Sequence, residues 1–531
     1  MASQAGEEAV QPIHPHCFAP EIKASKGTFL DGLSPFITDV ESKKTANMLI
    51  ATLEDSKKAF TNTLSSTAVS EETLTTALQD YIGALLVMIN ASKKTTTSVP
   101  QSSLPPSSPS DEVDTALAEA TAGAGATLAG QGSPASFGPL TGDSPLRYAV
   151  KFSWNQVLLS NSNSKDSNNL EVADAVYELA SALTAAAVWC QRRAALFHCE
   201  STPRGVPSGP SGQAYKLLRQ AAGLYDYISQ VVIPLMSRTL TSSSSSIEVS
   251  DCTAPVLQAA ASCAVGDAQS ITVLRAISKG NSSSLIASLA RDTGDIYKEG
   301  ACALISSTKD ATNTKLLTYL QYKQAVFESY AQIFNGIQQW KASQAGTGLR
   351  CLKEAEAIFF KMKKLAAAFD KAPPSSLGVL HSRFDDELDR VLYDTLRRIE
   401  RENSAVYYQK VPDAVPELPE GKRLAAATAF ELPPVGNSVK ETDISTVFSG
   451  LPASAAENTG KKANKNKNNS SGGFFRCLFC CCATKAVAEA VDEEVKKNDK
   501  KQEESGKKTD AGATNTDTVT TAADAAADTK K

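Results

Sequence analysis

The feature that most limits what this chain can fold into is the return of apolar residues at intervals of three and four. From Leu316 the series runs through Leu317, Leu320, Val326, Phe327, Tyr330, Ile333, Phe334 and Ile337 to Trp340. That spacing sets them in one wide stripe along a long helix, and such a stripe has to be buried against neighbours. Phe384, Leu388, Val391, Leu392, Leu396 and Ile399 repeat the pattern, with Asp385, Asp386 and Glu387 near its start and Arg397 and Arg398 near its end. This charge order complements a helix dipole. The same periodicity predicts helices over residues 48–60, 74–89, 172–196, 215–235, 256–277 and 285–304. Ser70 stands as N-cap of the second of these, with Glu71 and Glu72 in its first turn. Alternating β-branched text is nearly absent, and only a few short strands around residues 17–29 fit the sequence. The expected class is all-α.

Three stretches interrupt the helical text. Residues 91–143 are rich in Ser, Thr, Pro, Ala and Gly, a composition that buries too little apolar surface to order itself, and they read as a disordered insertion between helices. Residues 201–212 and 241–251 read as inter-helix loops. From residue 435 onward Asn, Lys, Gly, Ala and Thr dominate. The expected organisation is an N-terminal segment 1–28, a helical domain 29–434 and a low-complexity tail 435–531.

A formal net charge of −4 and a pI near 5.8 supply no basic field of the kind that gathers phosphate backbones, so no nucleic-acid partner is expected. The N-terminus has neither a basic n-region nor an apolar h-region, and Ala2 stands where N-myristoylation requires glycine. The longest near-continuous apolar run, residues 81–89, is about half of what spans a bilayer and reads as buried helix. Catalysis finds no constellation. The four histidines, His14, His16, His198 and His381, suggest no shared site, and no Gly-x-Ser-x-Gly, P-loop or His-Glu-x-x-His motif occurs. His14 to Cys17 is too short a span for a metal site, and His198 and Cys199, adjacent on a helix, point about 100° apart. No cofactor is expected. Cys17, Cys190, Cys199, Cys252, Cys263, Cys302 and Cys351 read as small core residues in a reducing compartment.

Cys477, Cys480, Cys481 and Cys482 resist that reading, because they lie between Phe474, Phe475 and Phe479 in the polar tail. Three contiguous cysteines cannot wrap one tetrahedral ion without strain. Thiols beside aromatic rings partition to the headgroup boundary, where S-acylation would hold the segment. Lys461, Lys462, Lys465, Lys467 and Arg476 add attraction to an anionic leaflet of about 1 kcal/mol each. The four cysteines are therefore expected lipidation sites, and a membrane an expected partner.

The most specific resemblance begins at Ala405, in AVYYQKVPDAVPELPEGKRL. With Tyr407, Lys410, Val411, Pro412, Leu418 and Pro419 in place, it resembles the closing segment of the Bro-one domain, an ESCRT-associated module. Upstream and in order, Phe152-Ser153-Trp154, the Ala- and Leu-rich residues 171–187, residues 215–228, residues 257–276 and Ile286-Ala287-Ser288-Leu289-Ala290 resemble further family segments. The resemblance covers about residues 29–434. It implies a curved, boomerang-like helical solenoid with a tetratricopeptide-like core, which binds the C-terminal helix of ESCRT-III core subunits. Carried onto this chain, the family's contact patch falls on Ala301, Leu304, Leu316, Leu317 and Leu320. Leu317 is the expected exposed contact, against the simpler reading of these leucines as core. Ala301 stands where the family usually has an aromatic, which removes a large contact. The coiled-coil arm of longer members is missing, and the architecture resembles short members whose tail is prenylated, with the cysteine cluster in place of the prenylated terminus. The function implied is a non-catalytic adaptor in endosomal sorting or membrane remodelling, cytoplasmic and peripheral on an endosomal or plasma membrane. A membrane-anchored signalling scaffold of the same fold is the alternative, and a Cys-dependent or metal-binding enzyme a more distant one.

Overall fold

A computed structural model describes residues 18–21, 23–37, 43–66, 69–90, 140–142, 144–159, 169–201, 210–240, 251–307, 314–372, 382–433 and 448. All of them fall in one compact unit, Met1–Ala455; a second, Ala456–Lys531, lies outside the described residues, as do residues 91–139 of the insertion and the cysteine cluster.

In chain order the elements are β1 (Ser25–Lys26), α1 (Phe29–Leu33), α2 (Lys43–Ser65), α3 (Glu71–Ile89), β2 (Phe152–Asn155), β3 (Asn169–Val172), α4 (Ala175–Ser201), α5 (Pro210–Tyr227), α6 (Ile233–Leu240), α7 (Ala254–Ser278), α8 (Ser283–Ser307), α9 (Lys315–Lys341), α10 (Ala345–Lys371) and α11 (Ser382–Glu402). The chain is overwhelmingly helical, as the periodicity predicts, and the predicted helices are present, most with longer ends, although α4 starts three residues later than predicted and residues 215–235 are divided between α5 and α6. Ser70 caps α3, its Oγ accepting from Thr73 N at 3.2 Å. A π-helical turn, Ile228–Val232, joins α5 to α6. Pro234 in α6 has no N–H to donate back into that turn, which explains the break in the regular ladder. The helices pack in series: α2 on α3, α3 on α4, α4 on α5, α5 on α7, α7 on α8, α8 on α9, α9 on α10 and α10 on α11. That is a solenoid in which each interior helix is covered from two sides.

The strands differ in part from expectation. β1 lies within the stretch anticipated near the N-terminus, but its partner is β2, and β2 pairs with β3, both antiparallel. The Phe-Ser-Trp motif is β2, and Glu171 and Val172, expected in a helix, lie in β3. The helix waits for Asp174, whose Oδ1 accepts from Val176 N at 2.9 Å. Two helices, the short α1 and the long α10, answer to no expectation above.

Charged residues buried between these elements tie the sheet to the helices. Glu178 of α4 accepts from Tyr81 Oη, from Trp154 Nε1 at 2.5 Å and from Lys57 Nζ at 3.1 Å. Asp251 faces Lys23 Nζ at 3.1 Å and accepts from the amides of Val157, Leu158 and Leu159. Arg147 forks onto both oxygens of Asp174 at 2.8 and 2.9 Å. Each buried charge thus has several partners, the condition under which its desolvation is tolerable.

The segment that carries the resemblance has a visible task. After a π-helical turn, Asn403–Tyr407, Tyr408 takes a left-handed φ of 52°. The chain then runs as an extended strap over residues 409–433, back across the helices in reverse order. Arg350 of α10 donates to Asp413 O, and Asn335 of α9 to Glu417 O. Arg291 of α8 donates to the carbonyls of Leu418 and Pro419. Gln269 of α7 donates to Lys422 O and accepts from the amides of Leu424 and Ala425. Thr428 N reaches Arg219 O of α5. A prolyl nitrogen has no hydrogen to satisfy, so Val411-Pro412 and Leu418-Pro419 suit an extended segment whose bonds go to side chains. The approach is close enough that a Cβ on Gly346 would lie 2.5 Å from Lys410 O, and one on Gly223 1.7 Å from Thr428 O.

Candidate partner-binding site

The expected contact residues converge, but inward. Ala301 and Leu304 lie on α8, and Leu316, Leu317 and Leu320 in the first turns of α9, where Thr314 caps the helix and its Oγ1 accepts from Leu317 N. All five are buried, and Leu317, expected to be exposed, is 3% exposed. The correction has a plain cause. α9 is packed by α8 on one side and α10 on the other, so its apolar residues are needed nearly all the way round. Periodicity states that a face is apolar, not how many neighbours will cover it. In this structure the leucines form the floor of the candidate patch.

That floor is held by a carboxylate which the sequence reading passed over. Asp267 of α7 is fully buried and accepts from Phe18 N at 2.8 Å, Tyr297 Oη at 2.6 Å and Tyr319 Oη at 2.8 Å, with Lys323 Nζ at 3.8 Å. The Lys323 ammonium also lies over the rings of Tyr297, Tyr319 and Phe327, between 5.3 and 5.7 Å from their centroids. Burial raises the Asp267 pKa, against the opposing pull of Lys323 and the hydrogen bonds. One side chain therefore joins the N-terminal segment, α7, α8 and α9. The signal in the sequence was a lone Asp in the Ala-rich text AVGDAQS.

Above the floor, α8 presents Ile305, with Lys298 and Cys302 half-buried at the helical spacing that shares one face with it. These three are the part of the patch that solvent reaches, and the sequence reading did not single them out for it. A separate cavity of about 640 Å³ opens where the N-terminus of α3 meets α4 and α5, lined among others by Glu71, Trp189, Arg193, Phe197 and Lys216. Two of its charges pair with each other, Glu71 with Lys216 at 2.8 Å, and Glu71 also accepts from Gln220 at 2.6 Å.

The interior thiols are chemically quiet. Burial pushes Cys190 up to about 12 and Cys351 up to about 11, away from the thiolate that nucleophilic or metal chemistry uses. No group of three metal-ligating side chains occurs among the described residues, and no helix among them is long and apolar enough to cross a membrane. His14, His16 and Cys17, the side chains of His198 and Cys199, and Cys477, Cys480, Cys481 and Cys482 lie outside the described residues.

The profile of the BRO1-like domain matches residues 142–469, more than half of the chain. The chain belongs to the BRO1-like domain family. The BRO1 domain-containing protein BROX of Danio rerio is 29% identical over 299 residues, 56% of this chain and 69% of the relative. The BROX protein of Homo sapiens is 28% identical over 298 residues, 55% of this chain and 69% of the relative. Among solved structures, ALIX in complex with the SIVmac239 PYKEVTEDL late domain aligns with a TM-score of 0.52 at 17% identity. That alignment covers 82% of this chain but only 51% of the other, and it shows the shared fold alone.

Proposed function

We propose that this chain is a non-catalytic adaptor that receives the C-terminal helix of an ESCRT-III subunit on its α8–α9 surface and is held at a membrane by S-acylation of its tail. The observation that carries the reading is membership in the BRO1-like domain family. The chemistry of the surface agrees with it. An amphipathic ligand helix needs an exposed aliphatic to cover and a support that does not yield. Ile305 supplies the first, and the Asp267 network under α8 and α9 the second. Because Ala301 is small, the affinity expected is lower than an aromatic there would give. Cys477, Cys480, Cys481 and Cys482 are the proposed acyl sites, and the setting is the cytoplasmic side of an endosomal or plasma membrane.

The test is capture of the full chain by an ESCRT-III C-terminal helix peptide. Wild type is expected to bind, and Ile305→Asp to lose most of the binding while its melting temperature stays put. Leu317→Asp is unsuitable as a probe, since it places a charge in the core. If wild type does not bind, the signalling-scaffold reading replaces this one. For the tail, a hydroxylamine-sensitive mass shift that disappears when the four cysteines become serine is the expected result, and an unmodified mass removes the acyl tether from the account.

A further inference from the structure

α10 buries one side and leaves the other to solvent. Ala355, Phe359, Met362, Ala366 and Phe369 face the core. At 100° per residue, Lys353, Phe360, Lys364 and Lys371 fall within about 20° of a single line on the opposite side, with Lys361 beside it. The four lysines are exposed, and Phe360 is 54% exposed.

None of the four lysines has an ion-pair partner among the described residues, and two of the neighbouring acids are paired with other cations. Glu354 pairs with Arg350 at 3.2 Å, Glu356 is hydrogen-bonded to Tyr393, and Asp389 of α11 lies 3.7 Å from Lys363. Asp370 lies on the flank towards α9, where its field reaches Lys315. Tyr393 is neutral and leaves Glu356 charged, and Asp370 is exposed beside Lys371, so four lysines and two acids leave this side with a net positive charge of about two around one protruding ring. Neither feature helps the fold, since the ring loses the benefit of burial and the lysines repel one another.

Both features match one kind of surface, an anionic bilayer. Lysine stems reach lipid phosphates and carboxylates while an aromatic enters the boundary between headgroups and acyl chains. Ala367 and Ala368, exposed beside the stripe, let the helix lie close to a plane. A ring more than half exposed among lysines suits a soft, flat partner better than a ligand helix. We propose that the outer face of α10 is a membrane contact specific for anionic lipid, separate from the tail cysteines. It deepens the membrane-held reading given above without depending on acylation.

The experiment uses the full chain with Cys477, Cys480, Cys481 and Cys482 changed to serine, so that acylation contributes nothing. It is sedimented with phosphatidylcholine vesicles in which roughly one lipid in three is phosphatidylserine, and with phosphatidylcholine alone, near physiological salt. Binding is expected with the first and not the second. Lys361→Glu together with Lys364→Glu should lower it roughly tenfold or more, and Phe360→Ser roughly tenfold with the charge unchanged. Undiminished sedimentation in both variants, which would assign the binding to the tail lysines, overturns the proposal. So does a stripe whose charge reversal changes self-association or RNA binding instead of vesicle binding. A tail that proves unmodified in cells leaves this result standing, so the two membrane readings fail separately.

Discussion

α9 and α10 are neighbouring helices of equal length, 27 residues each, and they meet opposite fates. α9 is buried nearly round its circumference, down to Lys315, Lys323, Ser329 and Asn335. α10 keeps an open face of lysines with Phe360 among them. Hydrophobicity alone does not separate them. What does is position in the stack: both helices touch the strap, but α9 has α8 and α10 on its flanks, whereas α10 has α9 and the shorter α11 and a further side left free. In a solenoid a helix's own pattern sets which face can be buried, and the neighbours set how much of the rest follows.

The sharpest way to break that comparison is to put the same charge on each side of it. Leu317→Asp should cost about 4 kcal/mol or more, or abolish folding, since it strands a carboxylate in the core. Urea denaturation measures this, and a change under about 0.5 kcal/mol would mean that Leu317 is a surface residue after all. Next comes Gly346→Ala at the start of α10, where the new Cβ would meet Lys410 O at 2.5 Å. Moving the strap should cost roughly 1–3 kcal/mol by the same measurement.

A smaller effect tests whether burial also governs charge away from this pair. Asp226 of α5 is lifted to about 6 by burial. Folded protein therefore holds a proton that the unfolded chain releases near its ordinary value of about 4. Stability contributed by this group is present below about pH 4, falls as pH rises towards 6, and is gone above it. Asp226→Asn should add about 1–2 kcal/mol at neutral pH and nothing near pH 4, read from urea midpoints across that range. Smallest of all, Phe360→Ser should shift stability by less than about 0.5 kcal/mol, because the ring has little burial to lose. A larger loss would place α10's open face against something within the chain.

Several of these elements were legible beforehand for a physical reason. Ser70 with Glu71 and Glu72 marks a helix start because the orphan amides of that turn need an acceptor, and the cap is there. The closing segment from Ala405 was recognisable by its resemblance to a family motif, whose prolines suit the extended strap it forms. Other features were not legible. Glu171 and Val172 look helical beside their Ala-rich continuation, and only pairing with Ser153 and Phe152 makes them strand. Of the candidate patch, the direction each side chain takes was not legible: Leu317 is buried, and Ile305 is surface.

By itself the sequence determined the class, the places where most helices run, and the stripe that each of those helices must bury, because these depend on residues three or four apart. The tertiary structure alone decided that Asp267 would gather Phe18, Tyr297, Tyr319 and Lys323, and that α9 would be enclosed while α10 kept an open face. Such outcomes depend on groups tens to hundreds of residues apart, whose meeting is set by how the helices stack and not by any local period.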